Sequence, residues 1–279
     1  MSRPVDKLGQ ILESTFGLAF LAQLLGQTAW ERITQLESTS SISSQARAFR
    51  VSHLEQPLFE IYADFIREYP FGYTHDWIRL ATELRESKCD LAYVLNEIRS
   101  QLQARGFDSS FDRTKQFAVV SDAYYQGECL RFETVWKSNA DAWWTQPNTV
   151  PSFQGNSPNL AEFAFDDALI SPTLMTKVSM EVAPKVFELH SAVDWISLVR
   201  QFPSEASVLH LDEWQFSFDK PVEAVWIPDW HRVAELYDGV YLSPAAYLGA
   251  SYNLLSLPDG RVTFLSGWSP GATYWLPKS

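Results

Sequence analysis

His190 closes the string VFELH and stands directly before a helix start, a position where side chains often line ligand sites. A histidine there can hold a polar ligand or carry a proton near neutral pH. Its plainer role is to bond a nearby carbonyl. Two more residues in the same part of the chain are not explained by local structure. Asp238 precedes Gly239 at a predicted helix-to-strand junction, and Tyr241 lies on the short strand GVYL. His190, Asp238 and Tyr241 are therefore the candidate catalytic set: an acid–base imidazole, a carboxylate and a phenol. An acid at such a junction can equally satisfy backbone donors. One shared cleft for the set favours an enzyme acting on a nucleotide-like ligand. Scattered or core-packed side chains favour a binding or interaction protein.

Other acids are poorer candidates. Asp212 and Glu213 are adjacent, as are Asp166 and Asp167. On a strand, neighbours point to opposite faces and cannot work as a carboxylate pair. The strings GxxxxGK[ST], GxGxxG and GxSxG do not occur, so no phosphate loop, dinucleotide fingerprint or nucleophile elbow is signalled. Cys89 and Cys129 are the two cysteines, and the histidines at 53, 75, 190, 210 and 231 show no HxH or HxxxH spacing. No metal site and no cofactor are implied. The 11 tryptophans could offer a stacking platform, but they more often fill a core.

The elements that must position these residues are legible in part. Residues 6–37, 54–68 and 90–105 carry apolar side chains at helical spacing, so the N-terminal part reads as mainly helical. After Gly106, KQFAVVSDAYY and ECLRFETVW alternate like half-buried strands. Residues 138–159 are rich in proline and turn formers and read as a long loop, with Trp143 and Trp144 as docking points. From Val186 the pattern sharpens. VFEL is a strand. Ser191 and Asp194 then open a helix with Val193, Ile196, Val199 and Phe202 as its stripe. VLHLDEWQFSF and VEAVWI are further strands. Asp229 caps a helix bearing Trp230, Val233, Ala234 and Tyr237, and Ser243–Pro244 starts another. A hairpin turns at Pro258–Gly260. The expected fold class is α+β: a helical N-terminal part, then a mixed or antiparallel sheet module with short helices. The chain divides into 1–137, a loop-rich 138–184 and an α+β module at 185–279.

Composition narrows the partners. With 22 bases against 34 acids the net charge is −12, which repels phosphate backbones and argues against non-specific nucleic-acid binding and basic membrane patches. The most apolar run, GLAFLAQLL, is nine residues long, whereas a membrane span needs about 20. A buried helix, a cytoplasmic location and a possible protein partner are the resulting expectations.

PDWHRVAELYDGVYLSPAAYL with GWSPGATYWL resembles the C-terminal region of uncharacterised bacterial proteins, over roughly residues 186–276, and implies no particular activity. A second resemblance is to the ADP-ribosyltransferase toxin class. It implies an NAD-gripping histidine at a strand end and aromatics around the nicotinamide, roles open to His190, Tyr241 and Tyr247. That class also uses a late glutamate. RVTFL and ATYWL contain none, and Glu223 and Glu235 do not match the position.

Overall fold

The structure, a computed structural model, describes residues 14, 17–21, 82, 110–120, 145–147, 149, 151–154, 174–177, 183–206 and 222–277. Most of the helical N-terminal part predicted from the sequence lies outside these residues. So do Trp143, Trp144 and the strand ECLRFETVW.

The fold is α+β, with two sheets. The larger is six-stranded, in the order β3-β1-β2-β10-β7-β4. Its strands are β1 (Gln116–Val120), β2 (Pro151–Gln154), β3 (Leu174–Lys177), β4 (Val186–Leu189), β7 (Gly239–Leu242) and β10 (Ala272–Trp275). All neighbours are antiparallel except β4 and β7, which run parallel with Glu188 opposite Tyr241 and Leu189 opposite Leu242. The three stretches separated in the sequence thus contribute to one sheet. The smaller sheet has the order β5-β6-β9-β8: β5 (Pro203–Glu205), β6 (Trp226–Pro228), β8 (Leu255–Ser256) and β9 (Val262–Thr263).

Between the sheets lies α1 (Ala192–Gln201). The sequence suggested Val193, Ile196, Val199 and Phe202 as its buried stripe. The structure bears out Val199 and Phe202, which are buried, and Ile196, which packs against the core, but corrects Val193, which is 52 % exposed; Trp195 and Leu198 are fully buried in addition. Both sets have helical spacing. The set containing Trp195, with Phe202 completing i, i+3, i+4 and i+7, removes more apolar area from water and wins.

The caps form as the residue types require. Ser191 Oγ accepts from the Asp194 N–H, and the Ser191 hydroxyl donates to Asp194 Oδ2 at 2.7 Å. Asp229 caps α2 (Trp230–Leu236) by accepting from the Arg232 N–H. Ser243 caps α3 (Pro244–Ala250) by accepting from the Ala246 N–H, with proline in the first turn. The predicted hairpin joins β8 to β9, and Gly260 takes φ +87°, a conformation side chains disfavour.

The core is aromatic. Trp195, Trp230 and Trp268 form a triangle with ring centroids 5.8–6.4 Å apart, and Tyr274 meets Trp268 at 4.9 Å. Each indole N–H finds an acceptor: Trp195 on Thr263 Oγ1, Trp230 on the Thr145 carbonyl and Trp268 on Thr145 Oγ1. Thr145 also exchanges bonds with the backbone of Ser266. The helical stretch 17–21 joins this core through buried Leu18, Phe20 and Leu21, and Ser14 Oγ donates to the Leu248 carbonyl at 2.8 Å. Among the described residues no helix is long and apolar enough to cross a membrane.

Candidate functional site

Alternation along β4 turns Phe187 and Leu189 toward the core and Glu188 to the other face. His190, two residues past Glu188, falls on that same side. Its Nε2 lies 2.9 Å from Glu188 Oε2. A carboxylate only accepts, so Nε2 carries the hydrogen, and whenever the ring is neutral Nδ1 is an acceptor. Nδ1 is buried and has no hydrogen-bond partner. The same Glu188 oxygen accepts from the Phe111 N–H at 2.9 Å. The His190 side chain is 13 % exposed and that of Glu188 33 %.

The start of α1 beside His190 is closed by the protein's own carboxylate. Asp194 Oδ2 accepts from the His190 N–H at 3.0 Å as well as from Ser191. A helix N-terminus favours negative charge, and here Asp194 supplies it.

Tyr241 stands beside Glu188 in the parallel register and beside Thr273 in the antiparallel one. Glu188, Tyr241, Thr273 and Ser152 therefore form one row across four adjacent strands. Tyr241 is 1 % exposed. Its ring centroid is 6.1 Å from that of His190 and 6.5 Å from that of Phe111. Trp275 completes the aromatic patch, 5.9 Å from Phe111, and its Nε1 donates to Ser152 Oγ at 2.9 Å. Ser152 passes its hydrogen to Gln116 Oε1 at 2.7 Å.

The segment from Ser110 to Lys115 lies over this face as a strap. Gln154 grips it twice, accepting from the Asp112 N–H at 2.6 Å and donating to the Ser110 carbonyl at 2.8 Å. Glu188 grips it between those points. A short 3-10 turn at Arg113–Lys115, capped by Asp112, then leads into β1.

The structure thus brings two of the three candidate residues together. Asp238 is elsewhere. It precedes β7 at the end opposite His190, where its N–H bonds the Lys185 carbonyl and its Oδ2 accepts from the Lys185 N–H at 2.7 Å. Lys185 and His190 bracket the whole of β4, so at ~3.3 Å per residue Asp238 is roughly 15 Å from the imidazole. Its carboxylate serves the backbone of a strand junction. Tyr247, the other aromatic of the nicotinamide reading, packs against Tyr252 at 6.5 Å and belongs to the core.

Sequence reasoning missed Glu188, Thr273 and Phe111. The signal for Glu188 was present, since i and i+2 on a strand share a face. Phe111 and Thr273 reach the site by long-range pairing, which no local pattern records. Asp166, Asp167, His210, Asp212 and Glu213 lie outside the described residues. Among the described residues no three of His, Cys, Asp and Glu converge in a way that could hold a metal ion. Compared with protein-family models, curated proteins and solved structures, the chain matches none.

Proposed function

We propose that the protein is a cytoplasmic binding protein. It holds a ligand or a protein partner at the His190 end of the large sheet and does not transform it. One observation carries this reading. With the strap in place, Nε2 of His190 is held by Glu188 and Nδ1 is buried, so in this closed arrangement neither nitrogen reaches a substrate proton. A general base must reach the proton it takes. Asp238, the carboxylate singled out from the sequence, stands at the far end of β4, and the carboxylate that does meet the ring, Glu188, also holds the strap through Phe111. The acidic chain, at net charge −12, suits a neutral or basic partner better than nucleic acid. The helical N-terminal part read from the sequence belongs to this proposal as its second structural element.

The test is incubation of the full chain with NAD and a panel of nucleotides, followed by chromatography. The expected result is full recovery of every compound. Product that disappears in His190→Ala would overturn the reading in favour of a nucleotide- or NAD-using enzyme. That second reading draws on the meeting of His190 and Tyr241 where β4 gives way to α1. Saturable heat with NAD, lost in His190→Ala, would bring it forward.

A further inference from the structure

Two polar atoms on the strap-covered face are left unsatisfied by the fold. His190 Nδ1 and Thr273 Oγ1 are both buried without a hydrogen-bond partner, and Thr273 is 0 % exposed. They flank one side chain. Thr273 is the register neighbour of Tyr241 on β10, and His190 meets the Tyr241 ring on the other side. A buried hydroxyl without a partner destabilises a fold, and valine has nearly the same shape. Unpartnered hydroxyls also occur singly at Thr149, Ser251 and Ser266; what sets this pair apart is that both atoms flank the same tyrosine ring.

The surroundings say what partner would suit the pair. Tyr241, Phe111 and Trp275 present ring faces and edges, which suit a flat ring. His190 Nδ1 and the carboxylate of Glu188 are acceptors, so the ring must bring N–H donors. Glu188 and Asp194 on this side disfavour an anion. The bonds described for the backbone of Ser110, Phe111 and Asp112 go to side chains, those of Gln154, Glu188 and Gln116. Such a segment can open without breaking a ladder.

We propose that the strap Ser110–Lys115 covers a site for a neutral or cationic nitrogen heterocycle or amidine. The ligand takes the place of Phe111 against Tyr241 and donates to Thr273 Oγ1 and His190 Nδ1. This rests on the reading of the face as a binding site and names the class of its ligand.

Isothermal titration of the full chain with adenine and with benzamidine tests it, alongside Thr273→Val and Thr273→Ser. At least one probe binds the wild type. Thr273→Val loses that binding at least tenfold while melting at the same temperature or higher, and Thr273→Ser restores it. Hydrogen exchange across the strap quickens in Glu188→Gln, which weakens the grip on Phe111. The proposal is overturned if neither probe gives heat, or if Thr273→Val binds like wild type. It is also overturned if Thr273→Val melts lower, which would show a hydroxyl already satisfied within the fold. NAD turnover dependent on His190 would instead sink the non-catalytic reading and leave these outcomes to be judged separately.

Discussion

On the core face of the large sheet, Leu189, Val240, Leu242, Ala272 and Tyr274 meet α1, α3 and the tryptophan triangle. On the opposite face the same strands carry Glu188, Tyr241, Thr273 and Trp275, with Ser152 and Gln116 beside them. Both faces are buried in large part, so burial does not distinguish them. Their polar groups are arranged differently. The three indoles of the triangle each donate to an acceptor, and the buried hydroxyls of Ser251 and Ser266 stand singly at a helix end and a loop, whereas on the other face an imidazole nitrogen and a hydroxyl without partners flank one tyrosine ring. The comparison supports reading the tryptophans as architecture and, under the proposal above, the strap-covered row as the binding face.

The largest effect that could break this comparison is on the core side. Trp268 is 1 % exposed, touches Trp195, Trp230 and Tyr274, and bonds Thr145. Trp268→Ala should cost about 3–5 kcal/mol in urea unfolding, the range for an aromatic-to-alanine cavity. A loss below about 1 kcal/mol would mean that the triangle is not the keystone of the core, and its tryptophans would again be candidates for ligand stacking.

A smaller effect sharpens the account of the second face. Gly239 opens β7, and a Cβ there would stand 3.1 Å from both the Trp275 ring and the Tyr274 carbonyl, and 3.2 Å from Thr273 Cγ2. The carbonyl belongs to a paired strand and cannot yield cheaply. Gly239→Ala should therefore destabilise by about 1–3 kcal/mol, as overpacking does. A neutral result in thermal unfolding would show Trp275 free to swing away, and the aromatic patch would be looser than drawn.

Much of the C-terminal part was legible because its signals are local. Ser191, Asp229 and Ser243 announce three helices by cap chemistry alone, and each accepts the bond that its position requires. Pro258–Gly260 announces the hairpin. Two kinds of feature were not legible. The stripe of α1 was ambiguous, since two apolar sets share the helical period and only tertiary packing chose Trp195 over Val193. The strands β2 and β3 fall in a stretch that reads as loop, because prolines crowd it and pairing supplies what propensity lacks. The site shows the same division. His190 and Tyr241 could be singled out from position, but Asp238 was separable from them only once β4 and β7 were known to run parallel.

The smallest expected effect lies away from both faces and serves as their control. At the β8–β9 turn, Asp259 and Arg261 form an ion pair at 2.7 Å, and the guanidinium sits 4.2 Å from the centre of the Trp226 ring. The hydrogen bond from Arg261 holds the Asp259 carboxyl below its ordinary range. A carboxylate with a depressed native pKa stabilises above its unfolded pKa, and that contribution fades as the pH falls through the native value. The pair is solvated, with side-chain exposures of 49 % for Asp259 and 31 % for Arg261, so screening leaves little of it. Asp259→Asn should lower the melting temperature only slightly at neutral pH and low salt. The difference should vanish in concentrated salt and in acid below the carboxylate range. A drop as large as that of Gly239→Ala would mean that the turn is clamped through Arg261 and Trp226 into the smaller sheet. The contrast between faces would then have to be drawn for both sheets.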